Sequence, residues 1–171
     1  MDTALIIDQE EQQLVQKQQG ELQHNFDDIL RITRLTAEAE QIPYAGSVKP
    51  RVAWALFCSG KALLIDIRTN EELVFVGRVP DSLHVPWATG TALTRNPRFL
   101  KELEKKASKQ DVILLLCRSG RRSALAAEVA TKAGFTNVFN VLEGFEGNLN
   151  EQEQRGHLGG WQYYGLPWSQ N

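Results

Sequence analysis

Four short, largely apolar runs constrain the fold of this chain more than any other feature of its sequence. They are Ala62–Ile67, Ser82–Val85, Val112–Cys117 and Val138–Leu142. Runs of this length are shorter than ordinary helices and are typical of strands buried on both faces of a parallel sheet. Because helical patterns lie between them, the sequence predicts an α/β fold in which ligands bind beyond the carboxyl ends of the strands.

Helical periodicity predicts five helices. They cover Phe26–Ile42, a segment from Ser47 or Lys49 to Phe57, Glu71–Phe75, Arg98–Ala107 and Ser123–Ala133, the last closed by Gly134. In the first of them, apolar residues recur mostly at steps of three and four. This spacing predicts an amphipathic helix that packs against the main domain.

These patterns divide the chain into three parts. Residues 1–25 are rich in Gln and Glu, so we expect a flexible or weakly helical segment. Residues 26–46 form the amphipathic helix and a connector, and residues 47–171 form the main domain with an extended C-terminal tail. Within that tail, the polar stretch Asn148–Gly160 is interpreted equally well as a flap or as an inert loop.

Composition excludes several classes of protein. A chain of 171 residues with 42% hydrophobic residues suits one soluble domain with an extension. Its formal net charge of −2 disfavours nucleic acid or an anionic membrane as a partner. No apolar segment approaches the roughly 18 residues that a membrane span needs, and no secretory signal pattern is present.

The two cysteines, Cys58 and Cys117, point to a reducing compartment. Their spacing matches neither a disulfide framework nor a zinc site, so we expect a cytoplasmic protein without a metal. Cys58 ends a predicted helix and is expected to lie in the core.

The segment Cys117–Ser123 is the strongest functional signal in the chain. It leaves an apolar run, contains Gly120 and three arginines, and leads into a predicted helix. A loop that enters a helix N-terminus presents unpaired backbone N–H groups and partial positive charge. Such surroundings stabilise a thiolate, so we expect Cys117 to be a nucleophile at neutral pH.

A simpler interpretation is that Cys117 is a packing residue and that the arginines are solvated. We favour the reactive interpretation because the glycine, the arginines and the strand-loop-helix context coincide. Arg118 and Arg122 are the stronger candidates for holding an oxyanion, since a guanidinium can donate paired hydrogen bonds. Arg121 is compatible with a position facing solvent.

This segment resembles the catalytic loop of the rhodanese-like superfamily of sulfurtransferases, and further motifs extend the resemblance from about Ser47 to Trp168. They are Asp66-Ile67-Arg68 followed by Glu72, the run Gly77–Pro86, Gly134-Phe135 through Leu142-Glu143-Gly144, and Gly165–Trp168. The resemblance implies a three-layer α/β fold. Its central, mostly parallel sheet has about five strands and helices on both faces, and this chain adds an N-terminal helical extension.

The resemblance also implies the roles of individual residues. It assigns catalysis to Cys117, and it implies that Asp66, Arg68 and Glu72 support the loop. The anion-binding loop would comprise Arg118, Ser119, Gly120, Arg121, Arg122 and Ser123.

The implied activity is transfer of sulfane sulfur from a donor such as thiosulfate, through a Cys117 persulfide, to cyanide or a thiol. No metal or organic cofactor is implied. The expected partners are a small anionic sulfur donor and a thiol or cyanide acceptor, and a protein acceptor is also compatible. Nucleic acid and membrane are not expected, and the oligomeric state is left open.

Two alternatives stay open at this stage. One is a noncatalytic rhodanese-like module that binds a protein. The other is a cysteine phosphatase or arsenate reductase, whose loop places an arginine after five intervening residues. Here that position is Ser123, whereas Arg122 follows Cys117 after four residues, so the loop resembles the shorter one of the sulfurtransferases.

Overall fold

A computed structural model describes residues 25–170, which form a five-stranded parallel sheet. The strands are β1 (Gly46–Val48), β2 (Leu63–Asp66), β3 (Leu83–His84), β6 (Ile113–Leu116) and β7 (Val138–Val141). Their order across the sheet is β1-β7-β6-β2-β3, and every neighbouring pair is parallel. A separate antiparallel pair comprises β4 (Ala88–Thr89) and β5 (Thr94–Arg95). The predicted α/β architecture is confirmed.

Within residues 25–170, five helices accompany the sheet. They are α1 (residues 25–39), α2 (Pro50–Cys58), α3 (Asn70–Phe75), α4 (Phe99–Leu103) and α5 (Arg121–Lys132). Within residues 25–170, none of them has both the length and the apolar character that crossing a membrane requires. The predicted segment 1–25 lies outside the described residues, apart from its last residue.

Two apolar layers enclose the sheet, one on each face. Along the central strand β6, Ile113 and Leu115 pack with residues of α4 and α5, as does Cys117 just beyond the strand. Leu114 and Leu116 point the other way and pack with residues of α1 and α2. Because both faces are covered, β6 is an uninterrupted apolar run rather than an alternating one. The three-layer arrangement with an N-terminal helix is therefore confirmed.

The prediction for α1 was wrong in its end and in part of its packing face. The helix ends at residue 39 and not at Ile42, because Ile42 precedes Pro43 and the chain turns at Gln41 with a φ of 57°. Ile32 and Leu35 were expected to pack, yet they are 56% and 53% exposed. The buried stripe of α1 is narrower than predicted, with Leu30 and Ala37 as its buried residues.

Four other predictions need correction. The segment beginning at Ser47 is strand β1, and the following helix begins at Pro50, a residue that suits the first helical turn. Cys58 is exposed and not in the core. Helix α4 ends at Leu103 rather than Ala107, and α5 begins two residues before Ser123. The other strand and helix ends shift by at most one residue, and β3 is two residues long.

A tight turn at residues 143–147 packs against the backbone of the cysteine loop that follows β6. The Phe145 amide donates to the Cys117 carbonyl at 2.8 Å, and the Glu146 amide donates to the Arg118 carbonyl at 2.9 Å. Gly144 makes this approach possible, since a Cβ there would lie 2.6 Å from the Ser119 amide nitrogen. The turn therefore holds the cysteine loop through its backbone.

We predict that Gly144→Ala lowers the free energy of unfolding by about 3 kcal/mol, because it adds a backbone clash to left-handed strain at a φ of 61°. Gly60→Ala is the matched control. Its φ is 72° with nothing within 4 Å of the added Cβ, so only the conformational cost of about 1 kcal/mol is expected. Urea unfolding of both variants measures the difference, and equal losses would contradict close packing under the loop.

Candidate active site

Three donors surround the sulfur of Cys117. The Gly120 amide lies 3.1 Å from Sγ, the Ser123 amide 3.4 Å and the Ser123 hydroxyl 3.1 Å. Cys117 is only 1% exposed. Burial by itself also fits a packing thiol, but three converging donors do not, because an apolar thiol needs none of them. Donors in this arrangement can stabilise negative charge on sulfur.

The sulfur also serves as the cap of α5. The cap residue of this helix is Gly120, whose φ of 88° is left-handed and which has no side chain to accept a hydrogen bond. The amides of a first helical turn are unpaired unless an outside acceptor approaches them. Cys117 Sγ supplies that acceptor for the Ser123 amide. The positive end of the helix dipole is thereby aimed at the thiol.

A buried polar pair extends the environment of the sulfur into the sheet. The Ser123 hydroxyl lies 2.6 Å from Asn140 Oδ1, and both residues are buried, Asn140 in strand β7. A hydroxyl carries one hydrogen, so Ser123 donates either to Asn140 or to Cys117. Rotation about its C–O bond directs this hydrogen to one acceptor or the other.

Asp66 and Arg68 form a buried ion pair at the end of β2. Arg68 Nη2 lies 2.6 Å from Asp66 Oδ2 and also donates to the Gly77 carbonyl at 2.8 Å. The guanidinium carbon of Arg68 sits 3.9 Å from the centroid of the Phe145 ring. Because the Phe145 amide holds the Cys117 carbonyl, this pair lies beneath the loop and touches the sulfur only through intermediates.

Glu72 joins α3 to the first turn of α5. It completes a capping box with Thr69, and its two carboxylate oxygens lie 2.8 and 2.6 Å from Arg122 Nη1 and Nη2. Burial raises the pKa of the Glu72 carboxyl, but hydrogen bonds from Arg122 and the Thr69 amide outweigh it, so the pKa is lowered. The sequence assigned Arg122 to an oxyanion, whereas the structure commits both of its terminal nitrogens to Glu72.

A cavity of about 370 Å³ lies over the loop. Its lining includes Arg118, Ser119, Arg121 and Arg122 of the loop, together with Arg155 from the stretch 148–160. Arg121 is exposed, as the sequence allowed, yet it faces this cavity. Four of the six predicted loop residues thus line one concavity.

Sequence reasoning overlooked Asn140, Phe145 and Arg155. Asn140 carried a usable signal, because a polar residue inside an otherwise apolar strand needs a buried partner. The pattern Thr69-x-x-Glu72 was also readable as a capping box. Nothing local to Arg155 indicated that it would reach the loop.

A cysteine at the carboxyl end of a central parallel strand, capping the next helix, defines a class of α/β proteins with a thiol in an anion-binding loop. Residues 49–151 match the family model of the Rhodanese-like domain. The chain belongs to this family.

The chain is also similar to individual proteins. The crystal structure of Rv0390 from M. tuberculosis has a TM-score of 0.66 at 45% sequence identity, covering 75% of this chain and 99% of that one. Thiosulfate sulfurtransferase 16, chloroplastic, from Arabidopsis thaliana is 32% identical over 111 residues, 64% of this chain and 89% of its own length. Uncharacterized protein RP600 homolog from Rickettsia rickettsii is 34% identical over 119 residues, 66% of this chain and 87% of its own length.

We predict that Glu72→Gln lowers the free energy of unfolding at pH 7 by about 2 kcal/mol, because Arg122 loses a partly buried bidentate partner. The folded-state pKa of Glu72 is depressed, so the stabilisation is present above the unfolded pKa of about 4.3 and is lost as pH falls through the folded pKa. The difference between wild type and variant should therefore shrink in acid.

The control is Glu104→Gln, which removes an exposed pair with Lys109 and should cost less than about 1 kcal/mol. Urea unfolding from pH 7 down to pH 3 measures both variants. A Glu72→Gln loss that is no larger than the control would show that this ion pair does not secure the loop.

We predict that Ser123→Ala, in a Cys58→Ser background, slows alkylation of Cys117 by iodoacetamide about tenfold at pH 7, because one hydrogen bond to the thiolate is removed. Ser82→Ala, whose hydroxyl donates to the Val79 carbonyl away from the site, should react like the parent. Equal rates in all three proteins would contradict a role for the Ser123 hydroxyl.

Proposed function

We propose that this protein is a sulfurtransferase that carries sulfane sulfur as a persulfide on Cys117. The observation that carries the proposal is the set of three donors converging on Sγ. Membership of the rhodanese-like family supports it, as does a relative named thiosulfate sulfurtransferase. The site needs no further group for this chemistry, because sulfur itself is nucleophile and carrier.

In the first half-reaction, the Cys117 thiolate attacks the outer sulfur of thiosulfate. The bond between Sγ and that sulfur forms, the sulfur–sulfur bond of the donor breaks, and sulfite leaves with the electron pair. Total charge is conserved, since a thiolate and a dianion become a persulfide anion and a dianion. Arg118 and Arg121 line the cavity where the donor's oxygens would lie, and their guanidinium groups bind oxyanions.

In the second half-reaction, an acceptor thiolate or cyanide attacks the outer sulfur of the persulfide. The Cys117 thiolate is the leaving group and returns to its three donors. These donors are fixed before the reaction, so they stabilise the departing charge without reorganising. The four-residue spacing to Arg122 makes a tight loop, which suits one added sulfur atom better than a phosphoryl group.

We predict that wild-type protein incubated with thiosulfate gains the mass of one sulfur atom, and that cyanide or a small thiol reverses the gain. Cys117→Ser should lose loading and at least about 1,000-fold of turnover while keeping its circular dichroism spectrum. Cys58→Ser is the matched control and should keep both, since Cys58 is the other free cysteine and is exposed.

Intact-mass spectrometry and a thiocyanate assay make these measurements. Loading that persists in Cys117→Ser would show that another residue is the nucleophile. Turnover of an aryl phosphate or of arsenate, with no sulfur loading from any donor, would favour the phosphatase or reductase alternative. A protein that is inert in all assays would favour a binding module.

A further inference from the structure

The cavity over the loop is larger and more cationic than a single small oxyanion requires. Its volume of about 370 Å³ falls within the range of sites that hold organic molecules. Four guanidinium groups line it, from Arg118, Arg121, Arg122 and Arg155. A donor such as thiosulfate has five heavy atoms and would leave much of this space empty.

Most of the positive charge in this cavity is uncompensated. Arg122 is neutralised by Glu72, but no ion pair involves Arg118, Arg121 or Arg155 within residues 25–170. Nε of Arg118 is buried and has no hydrogen-bond partner there. A buried donor without a partner is costly, and an anionic ligand would satisfy it.

Neighbouring charges confirm that these side chains form one cluster. Burial, followed by repulsion from Arg118, lowers the pKa of Arg155, and attraction to Glu146 partly opposes this shift. The pKa of Glu146 is itself raised by burial. Guanidinium groups remain charged at neutral pH. The Glu146 carboxyl group therefore faces several arginines, and the cavity keeps a net positive charge.

Arg155 is held in a fixed position by the fold of the 148–160 stretch. Its Nη1 donates to the Gly147 carbonyl at 2.7 Å, and the Gly156 amide donates to the Glu146 carbonyl at 2.8 Å. These two hydrogen bonds hold residues 148–160 against the turn at residues 143–147, which supports the cysteine loop. Arg155 lies beyond residues 49–151 that match the family model, so it belongs to a part of this chain that the shared domain does not include.

Apolar side chains contribute to the lining of the cavity as well. Leu93, in the turn between β4 and β5, and Leu149 also line it, and they are 43% and 48% exposed. A ligand that suits this lining carries anionic groups at separate points and a short aliphatic chain between them. The cluster at the loop would hold one end of it, and Arg155 would hold the other.

We propose that the sulfur acceptor of this protein is a small aliphatic thiol bearing at least two carboxylates, and that Arg155 binds the carboxylate farther from sulfur. This inference rests on the proposed sulfurtransferase function. In the transfer step the acceptor thiolate forms a bond to the outer persulfide sulfur, the bond to Cys117 Sγ breaks, and Cys117 leaves as a thiolate. Arg155 is a specificity-determining residue that takes no part in the bond changes.

The first experiment compares three acceptors on protein loaded with thiosulfate. They are mercaptosuccinate with two carboxylates, 3-mercaptopropionate with one and 2-mercaptoethanol with none. We expect kcat/KM to be at least about tenfold higher for mercaptosuccinate than for 3-mercaptopropionate, and the preference to fall with added salt. Arg155→Gln should abolish the preference when the comparison starts from protein that is already loaded with sulfur.

Two further variants keep this test interpretable. Arg31→Gln changes an exposed arginine on α1 and should behave like wild type. Arg155→Lys keeps a positive charge but not the planar fork, and it should retain part of the preference. An equal loss in Arg155→Gln and Arg31→Gln would point to a general charge effect and overturn the proposal.

The second experiment measures binding without chemistry. Calorimetry compares S-methyl mercaptosuccinate with S-methyl 3-mercaptopropionate, neither of which can accept sulfur. We expect the dicarboxylate to bind at least about tenfold more tightly, through Arg155.

The two experiments separate the two proposals. Normal loading together with no charge preference and no Arg155-dependent binding overturns the acceptor proposal and leaves the sulfurtransferase proposal standing. Absent loading together with Arg155-dependent binding of the dicarboxylate overturns the sulfurtransferase proposal. It leaves the anion subsite at Arg155 standing without the proposed reaction.

Discussion

The convergence of main-chain donors on the sulfur of Cys117 is the interaction on which the rest of the site depends. It requires Cys117 to follow a central strand that is paired on both sides, and Gly120 to turn the chain into α5 with a left-handed φ. Because α5 is capped by sulfur rather than by an oxygen-bearing side chain, the positive end of its dipole points at the thiol. No cationic side chain needs to touch the sulfur for this effect.

Charged pairs around the loop position it more than they stabilise the domain. Buried ion pairs give little net stability, because desolvation offsets much of the attraction. Arg68 is nonetheless completely buried. It donates hydrogen bonds to Asp66 and to the Gly77 carbonyl, and its guanidinium group packs against the Phe145 ring. The Arg122–Glu72 pair joins the first turn of α5 to α3. Arg118 and Arg121 belong to neither pair, and their side chains line the cavity.

The C-terminal tail completes the support of the site. Trp161 is fully buried, donates from Nε1 to the Pro167 carbonyl at 2.9 Å and packs edge-on against Trp54 of α2. Trp168 packs edge-on against Phe145, the residue whose amide holds the Cys117 carbonyl. Aromatic groups tie down irregular chain by burying large area with few side-chain torsions. The irregular tail therefore supports the cysteine loop through the contact between Trp168 and Phe145.

The sequence by itself determined the α/β class, strands β2, β6 and β7, helix α5 and the cysteine loop between β6 and α5. These features are local, because burial on two faces, helical spacing and a glycine turn each leave their mark within a few residues. Only the tertiary structure decided strand β1, the buried face of α1 and the partners of the loop. A three-residue strand has too few positions to show a period, and its partner β7 lies far along the chain. The pairs Glu72–Arg122 and Ser123–Asn140, and the approach of Arg155, join residues whose meeting depends on the packed sheet, which a local pattern of burial does not encode.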